Sequence, residues 1–583
     1  MKSFLKMTLA VICGLLITSI ISGVFYLICL GSLASMGSSK PYVPKDAVLK
    51  IDMSELNLAE QTKESPGILT IGNSISMETP EIIGLLDAAR ALDMAAQDPA
   101  IKYAFLKVDG VSGGVSTLQE FRKSLENFRT AGKAIVAYTE SPSTGSYYLA
   151  SVADKIYMPP YLGATYSFTG ISGRLTFLKD LLDKLGVNVQ LIRHGKYKSA
   201  GEMFIRNSAS PENMEQNQVM VNSIWASLSE EIARSRSISV EELNATIDEL
   251  KLVTPEDFVN CHLADGLLTR EELKAKLADL AVVEDFKDVK MVSLKDYWLA
   301  KSETKSGAKD KIAIIYADGE IIEGDSKQEI AGDRFAREIA KVRADSTVKV
   351  AILRVNSPGG SVMASEKIKT ELDLLKAVKP VIASYGDYAA SGGYWISNNA
   401  NHIFSNPTTL TGSIGVFGMI PDFSKTIKDV AHVTITPVNS NAHSDMLSLT
   451  RPFDEKEYEY MQSSIEKVYD KFINSVAKGR SMEPAAVDEI AQGRVWTGSD
   501  ALNIGLVDEI GTLQDAIAYA ARIAGNEDLS AWKIVGYPAP LSLFEEILSQ
   551  IMGNNDEENV VLAELRKLSE PKTVAHMPFE ISF

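Results

Sequence analysis

A chain of 583 residues, 45% apolar and 23% charged, is too long for one hydrophobic core and too apolar for disorder, so two or more packed domains are expected. Its net charge of −17 argues against nucleic-acid binding, which needs clustered Lys and Arg. Of three cysteines, Cys13 and Cys29 fall in an apolar leader and only Cys261 lies beyond it, so no disulfide framework or cysteine-based metal site can be built. The six histidines show no metal-motif spacing, and no stretch resembles a P-loop or a dinucleotide fingerprint. A mechanism without cofactors is expected.

Residues 7–39 carry no charge and 9–30 are almost wholly apolar, enough helix to cross a hydrocarbon core of roughly 30 Å. That run is too long for a cleavable signal, and the nearest small-residue stretch, Leu33-Ala34-Ser35-Met36-Gly37, lies too far along it. An uncleaved anchor over 1–39 is the expectation. Lys2 and Lys6 precede it, which leaves the N-terminus in the cytoplasm and exports the remainder.

After the anchor the chain repeats itself at an offset close to 245. Asp98-Pro99-Ala100-Ile101-Lys102-Tyr103 matches Asp345-Ser346-Thr347-Val348-Lys349-Val350, and Gly113-Gly114 matches Gly359-Gly360. Thr144-Gly145-Ser146-Tyr147 matches Ser391-Gly392-Gly393-Tyr394, and the segment from Val253 to Asp265 matches that from Trp496 to Asp508. Each half alternates short apolar strands with amphipathic helices, expected over 82–96 and 335–342, which is the βαβ pattern of a mostly parallel sheet. The predicted organisation is a first repeat over 40–299, a polar linker over 300–310, a second repeat over 311–525 and a helical tail over 526–583. Amphipathic segments at 541–552 and 560–568 carry the helical expectation for that tail.

The chemistry concentrates in the second repeat. Two apolar β-branched runs, 350–355 and 380–385, each lead into a Gly-rich turn, Asn356-Ser357-Pro358-Gly359-Gly360-Ser361 and Ala389-Ala390-Ser391-Gly392-Gly393-Tyr394. Both turns should lie at the carboxyl ends of neighbouring strands, where open α/β sheets bind ligands. Ser391 there reads as a nucleophile beside an oxyanion hole. A serine needs a base. His402 has Lys155 as its counterpart in the first half and reads as part of a strand, whereas a lysine made neutral by burial is an accepted substitute. Composition and spacing do not say which lysine.

These blocks, with Tyr316-Ala317-Asp318-Gly319, Leu410-Thr411-Gly412-Ser413-Ile414-Gly415 and Tyr197-Lys198-Ser199-Ala200, resemble the signal peptide peptidase A (protease IV) family in its long bacterial form. The resemblance implies an α/β fold of two tandem ClpP/crotonase-like domains after an N-terminal transmembrane helix. It makes Ser391 the nucleophile and Lys198 the general base, with the amides of Gly359 and Gly392 as the oxyanion hole and Ser413 orienting the amine. It further implies a homo-oligomer, a tetramer, on the periplasmic side of the bacterial inner membrane, acting on peptide substrates, chiefly cleaved signal peptides. The halves divide the labour in a matching way. Thr144 stands where the second half has Ser391, and Asn439-Ser440-Asn441-Ala442-His443-Ser444 stands where the first has Lys198. One departure is Met203, where the family pattern has proline. A crotonase-like acyl-CoA enzyme and a catalytically inactive membrane scaffold are the competing classes. Labelling by a fluorophosphonate separates the first from a protease, and hydrolysis abolished by Ser391→Ala separates the second.

Overall fold

The structure, a computed structural model, describes residue 18 and residues 41–62, 68–70, 76–78, 81–302, 307–327, 329–540, 572–576 and 581–582. The expected anchor over 1–39, Thr18 apart, and both expected amphipathic segments of the tail lie outside the described residues. Among the described residues no helix is long and apolar enough to cross a membrane.

The first half builds a six-stranded parallel sheet in the order Gly266–Leu267, Lys155–Met158, Ile135–Tyr138, Ile101–Lys107, Ala47–Asp52 and Met291–Ser293. Its central strands are apolar on both faces because helices cover both. Ile101, Ala104 and Leu106 are fully buried, and the helices Leu85–Gln97 and Val115–Thr130 supply Leu92, Phe121 and Leu125 to the same core. The expected helix over 82–96 starts later than its pattern suggests. Glu81–Gly84 is instead a strand, parallel to Leu56–Ala59, and the helix begins at Leu85.

The second half reproduces the same strand order with Glu509–Ile510, His402–Ser405, Val381–Ala390, Val348–Ser357, Lys311–Asp318 and Lys533–Tyr537, all parallel. Leu410–Gly412 also pairs with Val381–Ala390 and carries Val495–Thr497 antiparallel to it. The helix expected over 335–342 spans Gly332–Ala344 and buries Phe335, Ile339 and Val342 on one face, at the spacing of an amphipathic helix.

The tail over 526–583 is not purely helical. Lys533–Tyr537 forms the edge of the second sheet, paired with Lys311–Asp318 as Met291–Ser293 is paired with Ala47–Asp52, so the duplication runs past the last motif that marks it. No sequence pattern marks this strand, because Ile534-Val535 is too short to show a period and Pro538 follows at once.

A third sheet joins the halves. Asn188–His194, from the first half, pairs antiparallel over its whole length with Val416–Asp422 of the second. Beyond it come Lys572–His576, Gly359–Ser361, Ile321–Ile322 and Ile330–Ala331. This sheet carries the lysine loop of one half to the serine turn of the other.

Candidate active site

Val348–Ser357 and Val381–Ala390 are neighbouring parallel strands, and both Gly-rich turns leave their carboxyl ends. Ser391 sits between its strand and the short helix Gly392–Ser397, with φ 54° and ψ −113°. A non-glycine residue in that region is strained and persists only where its surroundings over-determine it. Here its N–H donates to Gly412 O at 2.8 Å and its carbonyl accepts from Trp395 N at 2.8 Å. Its hydroxyl is buried at the turn.

The loop after Asn188–His194 delivers Lys198. Tyr197 N donates to Gln492 O at 2.9 Å, Gln216 Nε2 donates to Tyr197 O at 3.1 Å, and Arg193 Nη1 donates to Lys198 O at 2.7 Å. Glu202, just beyond, is buried and accepts from Arg193, from the backbone and hydroxyl of Ser210, and from Asn213. These bonds hold the loop that contains Met203. Lys198 also packs directly on Gly493, where a Cβ would meet Lys198 Cβ at 2.5 Å and its backbone Cα and N at 2.7 Å.

The side chain of Lys198 is 1% exposed. Its Nζ lies 3.0 Å from Ser391 Oγ, 2.9 Å from Ser413 Oγ and 3.2 Å from Ser413 O. The ring of Phe417 stands 5.9 Å away. Burial lowers the ammonium from its ordinary value of 10.5 to about 7, so the neutral form is accessible near neutral pH. A neutral amine has two N–H groups and one lone pair. With both N–H groups satisfied by the hydroxyl and carbonyl of Ser413, the lone pair is left for the Ser391 hydroxyl.

Gly359, at φ 104°, and Gly392 face each other across the two turns: a Cβ on Gly392 would fall 3.2 Å from Gly359 Cα and 3.1 Å from Gly360 N. Gly392 opens its helix, so its N–H has no acceptor within that helix. The N–H of Gly359 donates to Ser357 Oγ at 3.2 Å. An incoming oxyanion would have to take over that donor.

The other sequence candidates fall elsewhere. Lys196 is exposed, with Nζ 5.1 Å from the Tyr197 ring. His402 pairs with Glu509 at 3.0 Å and stacks on Tyr519. Thr144 donates to Gly170 O at 2.7 Å. Among the described residues one His/Asp/Glu cluster, His443, Asp454 and Glu457, has metal-like spacing. Arg451 already bonds Glu457 in it and holds that carboxyl down to about 2, the signature of an ion pair. Sequence reasoning missed Glu202, Gln216 and Gly493. The only signal for them was proximity of Glu202 to the lysine block.

A buried serine on a strained strand-to-helix turn, met by a desolvated amine, defines a hydrolase of the serine class. The model of peptidase family S49 matches residues 127–284 and 373–526. Protease 4 of Haemophilus influenzae is 36% identical over 465 residues, covering 78% of this chain and 75% of its own. The chloroplastic serine protease SPPA of Arabidopsis thaliana is 33% identical over 466 residues, covering 78% and 68%. Among solved structures, ClpP1 from Listeria monocytogenes is 18% identical, covering 34% of this chain and 91% of that one, with a TM-score of 0.22. The chain belongs to peptidase family S49 and is a serine peptidase.

Proposed function

We propose that the chain is a membrane-anchored endopeptidase in which Ser391 is the nucleophile and Lys198 the general base, and that it degrades apolar extended peptides, cleaved signal peptides above all. The single observation carrying this is the 3.0 Å approach of Lys198 Nζ to Ser391 Oγ in a site closed to water. As Oγ attacks the scissile carbonyl, its proton passes to the amine. Main-chain N–H groups at Gly392 and the Gly359 turn receive the developing oxyanion. The ammonium then returns its proton to the leaving amine, and a water activated by the same amine hydrolyses the acyl-enzyme. The balance needs no cofactor.

An extended peptide would pair its backbone between Gly359–Ser361 and Val416–Asp422. Supporting this, Lys572–His576 pairs antiparallel with both at once, Gly359 opposite His576 and Phe417 opposite Val574. The uncharged run 7–39 supports a single-pass anchor with both ClpP/crotonase-like repeats on the periplasmic side of the inner membrane. The assembly proposed is a tetramer, and exposed Val433, Ile435 and Val438 support contact with further copies of the chain, without setting their number.

The test is hydrolysis of a fluorogenic signal peptide, with fluorophosphonate labelling read by mass spectrometry. Ser391→Ala and Lys198→Ala should abolish both while the fold is kept. Hydrolysis unchanged in Ser391→Ala overturns the reading.

A further inference from the structure

We propose that Asp387 is a positioning residue for this reaction: from a bulge four residues ahead of Ser391, its carboxylate fastens the nucleophile's strand to the glycine turn of the first half that corresponds to the Gly359-Gly360 turn of the second. The inference rests on the roles given above to Ser391 and Lys198.

The bulge is visible in the pairing. Val355 faces Tyr385 and Ser357 faces Ala389, so Gly386, Asp387 and Tyr388 together stand opposite the single residue Asn356. Such a bulge re-aims a side chain out of its strand. Here it turns Asp387 toward the helix Val115–Thr130 of the first half. Asp387 Oδ1 accepts from Ser116 N at 2.8 Å and Thr117 N at 3.1 Å, and Oδ2 accepts from Thr117 Oγ1 at 2.6 Å.

The receiving turn is filled by this carboxylate. A helix start needs acceptors for its first N–H groups. In the second half Ser361 supplies one, its hydroxyl accepting from Ala364 N at 3.2 Å. In the first half the residue at the same N-cap position of the helix is Gly114, which has no side chain to offer. A Cβ there would fall 2.1 Å from the Asp387 carboxyl carbon. Glu140, the counterpart of Asp387 in the first half, is exposed. The duplicated turn has thus become a socket in one half while the other keeps it beside the serine.

The consequence lies in where the reacting groups come from. Ser391 and Lys198 belong to different halves, so their 3.0 Å separation is as well defined as the halves are fixed, and a site tolerates only about 0.5 Å of slack. The pairing of Asn188–His194 with Val416–Asp422 secures the lysine side. Asp387 secures the serine side. Other contacts hold the halves together independently, with buried Arg354 bonded to Glu60 and Glu120 and with Ser116 and Gln119 bonded to Thr408. Loss of Asp387 should therefore loosen the site without unfolding the chain.

The experiment compares full-length Asp387→Ala, Asp387→Asn and Thr117→Val with wild type in kcat, KM, melting temperature and pH-rate profile. Asp387→Ala should lower kcat about 10-fold or more, leave KM within about twofold, and leave the activity midpoint where wild type has it, because the lysine stays buried. Asp387→Asn keeps one oxygen for the two backbone donors and should recover part of the loss. Thr117→Val keeps volume and should lower kcat a few-fold at unchanged melting temperature, and it decides the matter if Asp387→Ala does not fold. Gly114→Ala, which displaces the carboxylate, should lose no further activity when combined with Asp387→Ala. Wild-type kcat in Asp387→Ala, wild-type kcat in Thr117→Val, or fully multiplicative losses in the double variant would overturn the inference. If Ser391 still takes the fluorophosphonate, the catalytic reading survives that failure; label on another residue sinks the reading itself.

Discussion

Gly493→Ala tests whether catalysis depends on how the main chain of one half rests on the other. Gly493 has φ 80°, and a Cβ on it would lie 2.5 Å from Lys198 Cβ and 2.7 Å from Lys198 Cα and N, against an ordinary contact of 3.4 Å or more. Gly493 N is itself held by Ile414 O at 2.8 Å, so the lysine loop must give way, by about 0.9 Å. Moved that far from Ser391, Nζ passes from 3.0 Å to beyond hydrogen-bond reach. A misplacement of about 1 Å costs on the order of 100-fold in rate, and alanine in the left-handed region adds about 1–2 kcal/mol of strain. The assay is kcat and KM on a fluorogenic signal peptide, with a thermal melt on the same sample. The expected result is a kcat lowered about 100-fold at nearly unchanged KM, with a melting temperature lower by a few degrees. A Gly493→Ala enzyme with more than half the wild-type kcat would refute the reasoning.

Removing residues 572–583 should raise kcat/KM on peptides several-fold, since Lys572–His576 pairs with both strands that a substrate would use; identical kinetics with and without the segment would contradict this. Lys198→Met should abolish activity yet stabilise the fold at low pH. The lysine's folded value is depressed, so the unfolded chain binds the extra proton between about 7 and 10.5 and wild type gains stability as pH rises through that window. Below it the buried ammonium costs about 5 kcal/mol, less about 1–3 kcal/mol for partners that methionine leaves unsatisfied. The variant's advantage in a urea melt should therefore shrink by about 3 kcal/mol from pH 6 to pH 9. Parallel pH dependence in the two proteins would count against a desolvated lysine.

How far the sequence reveals this depends on sequence distance. Ser391 is legible because its signal is local, an apolar strand followed by a glycine turn, and the neighbouring Gly359 turn is built the same way. The duplication and its mostly parallel βαβ pattern are legible too, except at Lys533–Tyr537, where no motif marks the repeat; the strand order the halves share is seen only in the structure. Lys198 is different. The role proposed for it is suggested in the sequence by resemblance alone, because what buries it follows from the antiparallel pairing of Asn188–His194 with Val416–Asp422, a contact between segments more than 200 residues apart. Gly493 and Asp387 are hidden for the same reason. A glycine that admits a distant backbone, and an aspartate that caps a helix of the other half, look like ordinary turn residues in a linear reading.

The most direct measurement is the rate of fluorophosphonate labelling at Ser391 between pH 5 and 10, in wild type and Lys198→Arg. Titration of a single group near 7 should control the wild-type rate, which rises to a plateau, and the arginine variant, unable to release its proton, should stay unlabelled throughout. A wild-type midpoint near 10, or an arginine variant labelled as fast as wild type, would contradict a neutral lysine as the base.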